Sequence, residues 1–150
     1  MIKLDLFKQS KGYCGPASLK IVLSYYGIDK SEDYLAKLTK TSRIKGCDEE
    51  NIVRASEKLG LKGYVKQNSS IKEVKELVKK GIPVIVNWFS PEEGGHYSVV
   101  VDFDKNNIVL ADPHFGELKK HKIGWFEDRW FDMPFREEGS IIKEIIAIHK

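Results

Sequence analysis

"HYSVVVDFDKNNIVLADP", residues 96–113, holds two β-rich runs separated by "DKNN". Val99, Val100 and Val101 fill the first run, and Ile108, Val109 and Leu110 fill the second. β-Branched residues suit a pleated, half-buried surface, and Asp and Asn tolerate the backbone of a tight turn. The stretch therefore predicts an antiparallel hairpin. His96 begins one strand and Asp112 ends its partner, so both lie at the same end of the sheet. Whether they touch depends on register and on any bulge, which this level of reading leaves open.

Upstream, "PVIVNWF" is a third β run and "KGYVKQ" a short strand. Between them "SSIKEVKELVKKG" places Ile71, Val74, Leu77 and Val78 at helical spacing. Downstream, "IGWFEDRWFD" reads as a turn of helix or an irregular segment. "SIIKEIIAIHK" is rich in Ile, which favours a terminal strand, while its Lys and Glu spacing tolerates a helix. His114 and His121 fall in a polar loop region.

The first half has a different period. "CGPASLKIVLSYYG" carries Ala17, Ile21, Val22, Leu23 and Tyr25 near helical spacing, with Pro16 suited to a first turn. "KSEDYLAKLTK" opens on a Ser31 cap followed by acidic residues. "DEENIVRASEKLG" repeats that scheme with Ile52, Val53, Ala55 and Leu59. Helices first and antiparallel strands second predict an α+β domain, with residues 1–150 as one unit.

The 25 basic and 22 acidic residues are interleaved and leave a net charge of +3, so no nucleic-acid stripe stands out. No apolar run is long enough to span a bilayer and "MIKLDLFKQSK" is no secretory signal, which predicts a cytoplasmic chain. Two cysteines make no disulfide framework. Without C-x-x-C or H-x3-H spacing, no metal or cofactor is expected.

Cys14 stands just ahead of the first helix. Unpaired N–H groups and the positive end of the helix dipole favour a thiolate there. Gly15 allows a tight turn and leaves room for a substrate carbonyl. The Cys14 N–H and the Gln9 amide are candidate oxyanion donors. A thiol nucleophile needs a base, and His96 has the best placement of the four histidines. Asp112 is the candidate that orients its ring. Cys47, ahead of "DEEN", carries no assigned role. Trp88, Phe89, Trp125, Trp130 and Phe131 are open to two readings, core or peptide groove.

Gln9-x4-Cys14-Gly-Pro-Ala-Ser-Leu, then "HYSVVV", then "LADP" resemble the double-glycine leader peptidase family. These are papain-like cysteine peptidases, best known as N-terminal domains of bacteriocin-exporting ABC transporters. The resemblance runs from Gln9 to beyond Asp112. It implies a papain-like fold, Cys14 as nucleophile, His96 as base and acid, Asp112 as orienter and Gln9 in the oxyanion hole. Family members often carry an acidic residue where Tyr13 stands here. The opening stretch also resembles phytochelatin synthases, but the shorter Cys-to-His spacing favours the peptidases. The implied activity is cleavage of a peptide or protein, by default after Gly-Gly. The implied member stands alone, serving an ABC exporter in trans. Acyl transfer from the same thioester and peptide binding without cleavage are the alternatives.

Overall fold

The three helical patterns of the first half become α1 (Cys14–Tyr25), α2 (Glu32–Leu38) and α3 (Glu49–Lys58) in a computed structural model, which describes residues 1–133 and 140–150. Ser31 caps α2 as expected, its Oγ accepting the Tyr34 N–H at 3.0 Å. The second half supplies β1 (Lys62–Lys66), α4 (Ile71–Lys79), β2 (Val84–Ser90), β3 (Gly94–Asp104) and β4 (Asn107–Asp112). They are followed by β5 (Glu117–Lys122), α5 (Ile123–Asp128), β6 (Phe131–Asp132), β7 (Ile141–Ile142) and β8 (Glu144–His149). Six strands form one antiparallel sheet in the order β1-β8-β2-β3-β4-β5, and β6 pairs with β7 separately.

The ambiguous C-terminal segment is a strand. β8 lies between β1 and β2, and Ile145, Ile146, Ala147 and Ile148 are buried. A central strand covered on both faces reads as a continuous apolar run, which hides its period. The polar region around His121 is also a strand, contrary to the loop expected. "ELKKHK" pairs with β4 at the sheet edge, and Lys119, Lys120 and Lys122 guard that edge against further pairing. Charged edge strands lack the apolar signature that marks interior ones.

Two apolar layers flank the sheet. Leu19, Val22 and Leu23 of α1 and Ile52 of α3 pack with Ile85, Val99, Ala111 and Ile146. Val74 of α4 and Phe126 of α5 pack with Val86, Trp88, Val100 and Leu110. Trp88 and Trp130 are fully buried here, so neither lines a groove. Their indole N–H groups donate to Ser98 Oγ at 3.0 Å and Glu144 O at 3.1 Å. Each such burial contributes on the order of 2–3 kcal/mol. Trp125 is partly exposed, and Phe89 stacks on Phe131 at 5.2 Å.

One irregularity positions the site. Near the hairpin turn Asp104 faces Asn107 and Asp102 faces Val109; further along, Val100 faces Leu110 and Val99 faces Ala111. Val101 is the extra residue of a β-bulge. Directly opposed residues share a face, and faces alternate along a strand. Without the bulge, even-numbered residues of β3 would share a face with odd-numbered residues of β4. With it, His96 and Asp112 come to the same face. No described helix is long and apolar enough to cross a membrane.

Candidate active site

The loop before α1 is clamped from three sides. The Gln9 N–H donates to Pro113 O at 2.8 Å, tying the loop to the residue after Asp112. The Ser10 N–H and hydroxyl donate to the two Glu32 carboxylate oxygens at 2.8 and 2.7 Å. Arg43 donates to Lys11 O at 2.7 Å and lies over the Tyr13 ring, 3.8 Å from its centroid. Tyr13 is thus the seat of a cation–π contact.

Gly12 turns within this loop at φ +80°, and a Cβ there would collide with the backbone carbonyl of Arg43. Gly12→Ala is therefore expected to cost about 2–4 kcal/mol, from left-handed backbone strain plus overpacking. Urea denaturation checks it, and a midpoint equal to wild type would refute it.

Gly15 serves a different need from the one expected. It is helical, and a Cβ would meet Cys47 Cβ at 2.8 Å. Its small size lets α1 approach Cys47 rather than opening space for a substrate carbonyl. Burial pushes the Cys47 thiol up to about 11, against hydrogen bonds from Thr41 and Thr39 that lower it. At pH 8 Cys47 is accordingly a protonated, poor nucleophile. Limiting iodoacetamide should label Cys14 and spare Cys47, so Cys47→Ser keeps the label that Cys14→Ser loses. The reverse pattern by intact mass would overturn this.

His96 is 1% exposed, and its Nε2 lies 2.7 Å from Asp112 Oδ1. The same oxygen accepts the His114 N–H at 3.0 Å, the side-chain turn that an Asp before Pro favours. Asp112 is thus both turn former and histidine partner. Nδ1 of His96 lies 3.2 Å from Glu93 Oε1. Cys14 Sγ, a His96 ring nitrogen and a Glu93 oxygen all lie within 4.8 Å of one another. Burial disfavours the imidazolium, but hydrogen bonds with Asp112, Cys14 and Glu93 outweigh it and hold His96 well above its usual 6.5.

The structure therefore gathers Cys14, His96 and Asp112, and it ties Gln9 to the Asp112 turn. The Gln9 Nε2 makes one long bond, to Ser10 O at 3.4 Å, and its buried Oε1 has no partner among the described residues. Sequence reasoning missed Glu93 and His114. Their side chains join, His114 Nδ1 to Glu93 Oε2, at 2.6 Å. Burial alone would raise the Glu93 carboxyl, yet His96 and His114 hold it at about 2. Glu93 falls in a turn and His114 follows a proline, and only their shared nearness to His96 reveals the pair. Beside them runs a groove of about 700 Å³, lined in part by Gln9, Lys11, Arg43, Glu93, His114 and Phe115.

The α+β fold, helices before antiparallel sheet, is that of solved C39-type peptidase domains. The peptidase domain of Streptococcus ComA, a bi-functional ABC transporter involved in a quorum sensing pathway, superposes with a TM-score of 0.77. It is 25% identical, with 97% of each chain covered. A double glycine motif protease from an AMS/PCAT transporter, in complex with the leader peptide, shares the fold at a TM-score of 0.76 and 23% identity. That match covers 99% of this chain and 92% of the other.

The chain belongs to the Peptidase_C39 like family, whose pattern matches residues 1–136. An uncharacterized protein of Methanothermobacter marburgensis is 32% identical over 115 residues, 76% of this chain and 75% of that protein. The pediocin PA-1 transport/processing ATP-binding protein PedD of Pediococcus acidilactici is 32% identical over 101 residues. That match covers 67% of this chain but only 13% of PedD, so the chain spans a small part of that transporter's length.

Proposed function

We propose that this chain is a thiol peptidase whose catalytic groups are Cys14, His96, Asp112 and Gln9. The observation that carries the reading is the arrangement of His96. Its Nε2 is held by Asp112 at 2.7 Å, and Cys14 Sγ lies within 4.8 Å of the ring. Cys14 Sγ attacks a peptide carbonyl carbon while its proton resides on His96. The Cys14 N–H at the start of α1, with the Gln9 amide, receives the developing oxyanion. The C–N bond breaks as His96 gives its proton to the leaving amine. Water then attacks the thioester, losing a proton to His96, which returns it to Cys14 Sγ as the acid departs.

Gln9→Ala is expected to lower kcat by about 10²–10³-fold with little change in KM, the signature of a donor used in the transition state. An unchanged kcat would remove Gln9 from the oxyanion site.

The substrate proposed is a peptide with Gly-Gly before the scissile bond; what supports it is the likeness to a double glycine motif protease in complex with the leader peptide. The setting proposed is one domain over residues 1–150, acting in the cytoplasm beside an ABC exporter. The test incubates reduced protein with a Gly-Gly peptide, its Ala-Ala counterpart and an uncleaved control using Cys14→Ala. Mass spectrometry should find two fragments from the first peptide only. Fragments from neither peptide would sink the proposed specificity. Conjugates with an added amine, in place of free acid, would instead show acyl transfer.

A further inference from the structure

Glu93 occupies a place that hydrolysis does not require. Its Oε1 lies 3.2 Å from His96 Nδ1, and Cys14 Sγ and a His96 ring nitrogen lie within 4.8 Å of its carboxylate. In a tetrahedral zinc site, bonds of about 2.0–2.3 Å put neighbouring donor atoms roughly 3.3–3.7 Å apart. The three donor atoms here lie within 4.8 Å of one another, so movements of about an ångström complete that geometry.

Metal-binding histidines are commonly held through their far nitrogen by a carboxylate. Asp112 holds His96 that way, and both residues are 1% exposed, so packing fixes the ring. Glu93 is likewise held from behind, its second oxygen meeting His114 Nδ1 at 2.6 Å. A thiolate and a carboxylate cancel the charge of a divalent cation, and the imidazole adds a neutral donor. The ion and its three ligands are then neutral together, and the Asp112 carboxylate beside them stays hydrogen-bonded by the His96 ring. Sulfur and imidazole select zinc-like ions over Mg²⁺ and Ca²⁺, which prefer all-oxygen shells. Glu93 itself lines the groove, so one of the three ligands is reached from solvent.

We infer that Cys14 Sγ, His96 Nδ1 and the Glu93 carboxylate form a reversible site for a thiophilic divalent cation of the zinc class, steadied by Asp112 and His114. Binding takes thiol and imidazole together. On the peptidase reading above, the ion therefore switches the enzyme off until it is withdrawn.

The test titrates chelator-treated, reduced protein with Co²⁺ and needs no peptide substrate, so it stands or falls apart from the peptidase reading. A sulfur-to-cobalt charge-transfer band should saturate at one ion per chain. It should persist in Cys47→Ser and vanish in Cys14→Ser. Glu93→Gln should weaken binding at least about tenfold, and His114→Ala should weaken it in the same direction. Zn²⁺ should shield Cys14 from iodoacetamide in the wild type, EDTA should restore labelling, and Mg²⁺ should give no shielding. The inference is overturned by no saturable band at millimolar Co²⁺, a band that survives Cys14→Ser, or one lost in Cys47→Ser. Equal affinity in wild type and a folded Glu93→Gln overturns it too, since a Cys–His pair alone would then suffice.

Discussion

His96→Ala is expected to lower kcat/KM for peptide cleavage by about 10⁴-fold or more, with the chelator-treated protein as reference. The thiol loses the group that takes its proton, and the leaving amine loses the group that returns one. Reaction units of this kind are strongly non-additive, so His96→Ala should leave about as little activity as Cys14→Ala. The substitution also leaves Asp112 buried without its 2.7 Å partner, which destabilises by about 3–5 kcal/mol. His96→Gln separates the two effects. Its amide can still donate toward Asp112, so it should unfold closer to wild type while losing as much activity. Retention of a tenth of wild-type kcat/KM in a folded variant would remove His96 from the reaction.

Asp112→Asn should reduce kcat/KM by about 10²–10⁴-fold. The direction of the pH effect follows from what holds His96. Burial pulls its pKa down, and the hydrogen bonds with Asp112, Cys14 and Glu93 together pull it well above 6.5. The active pair needs a charged imidazole beside a thiolate, so activity falls as pH rises through the His96 pKa. In the wild type that alkaline limb lies well above 6.5. Removing the Asp112 charge gives burial more weight, and the limb moves to lower pH. The same raised pKa stabilises the fold fully below about 6.5 and ceases to do so as pH rises through the folded value. A pH profile of kcat/KM for both proteins, with a thiol-labelling profile beside it, checks the shift. An alkaline limb that stays in place would show that Asp112 does not set the charge of His96.

Much of the architecture was legible because local rules and tertiary packing agreed. Ser31 caps α2, Pro16 sits in the first turn of α1, and "DKNN" joins β3 to β4. Where they diverged, the reasons lay in tertiary placement. Trp88 and Trp130 were open to a groove reading because aromatic residues serve both uses, and the apolar layer under α4 and α5 encloses them. β5 was missed because an edge strand is selected for charge rather than for apolar alternation. Glu93 and His114 were missed because neither belongs to a local pattern. They matter only through a contact 21 residues apart in sequence.

The sequence by itself determined the α+β order of elements and the chemistry available: a thiol at a helix start, and an imidazole and a carboxylate at the open end of the hairpin. It also pointed to the family, through the motif around Cys14 together with His96 and Asp112. Only the tertiary structure decided whether the imidazole and carboxylate meet. The hairpin turn sets a register that would send His96 and Asp112 to opposite faces, and the single extra residue at Val101 reverses it. A side-chain period of two makes one inserted residue enough to change every facing pair beyond it. Such a bulge answers to packing across the sheet, which is why no reading of residues 96–113 alone could fix it.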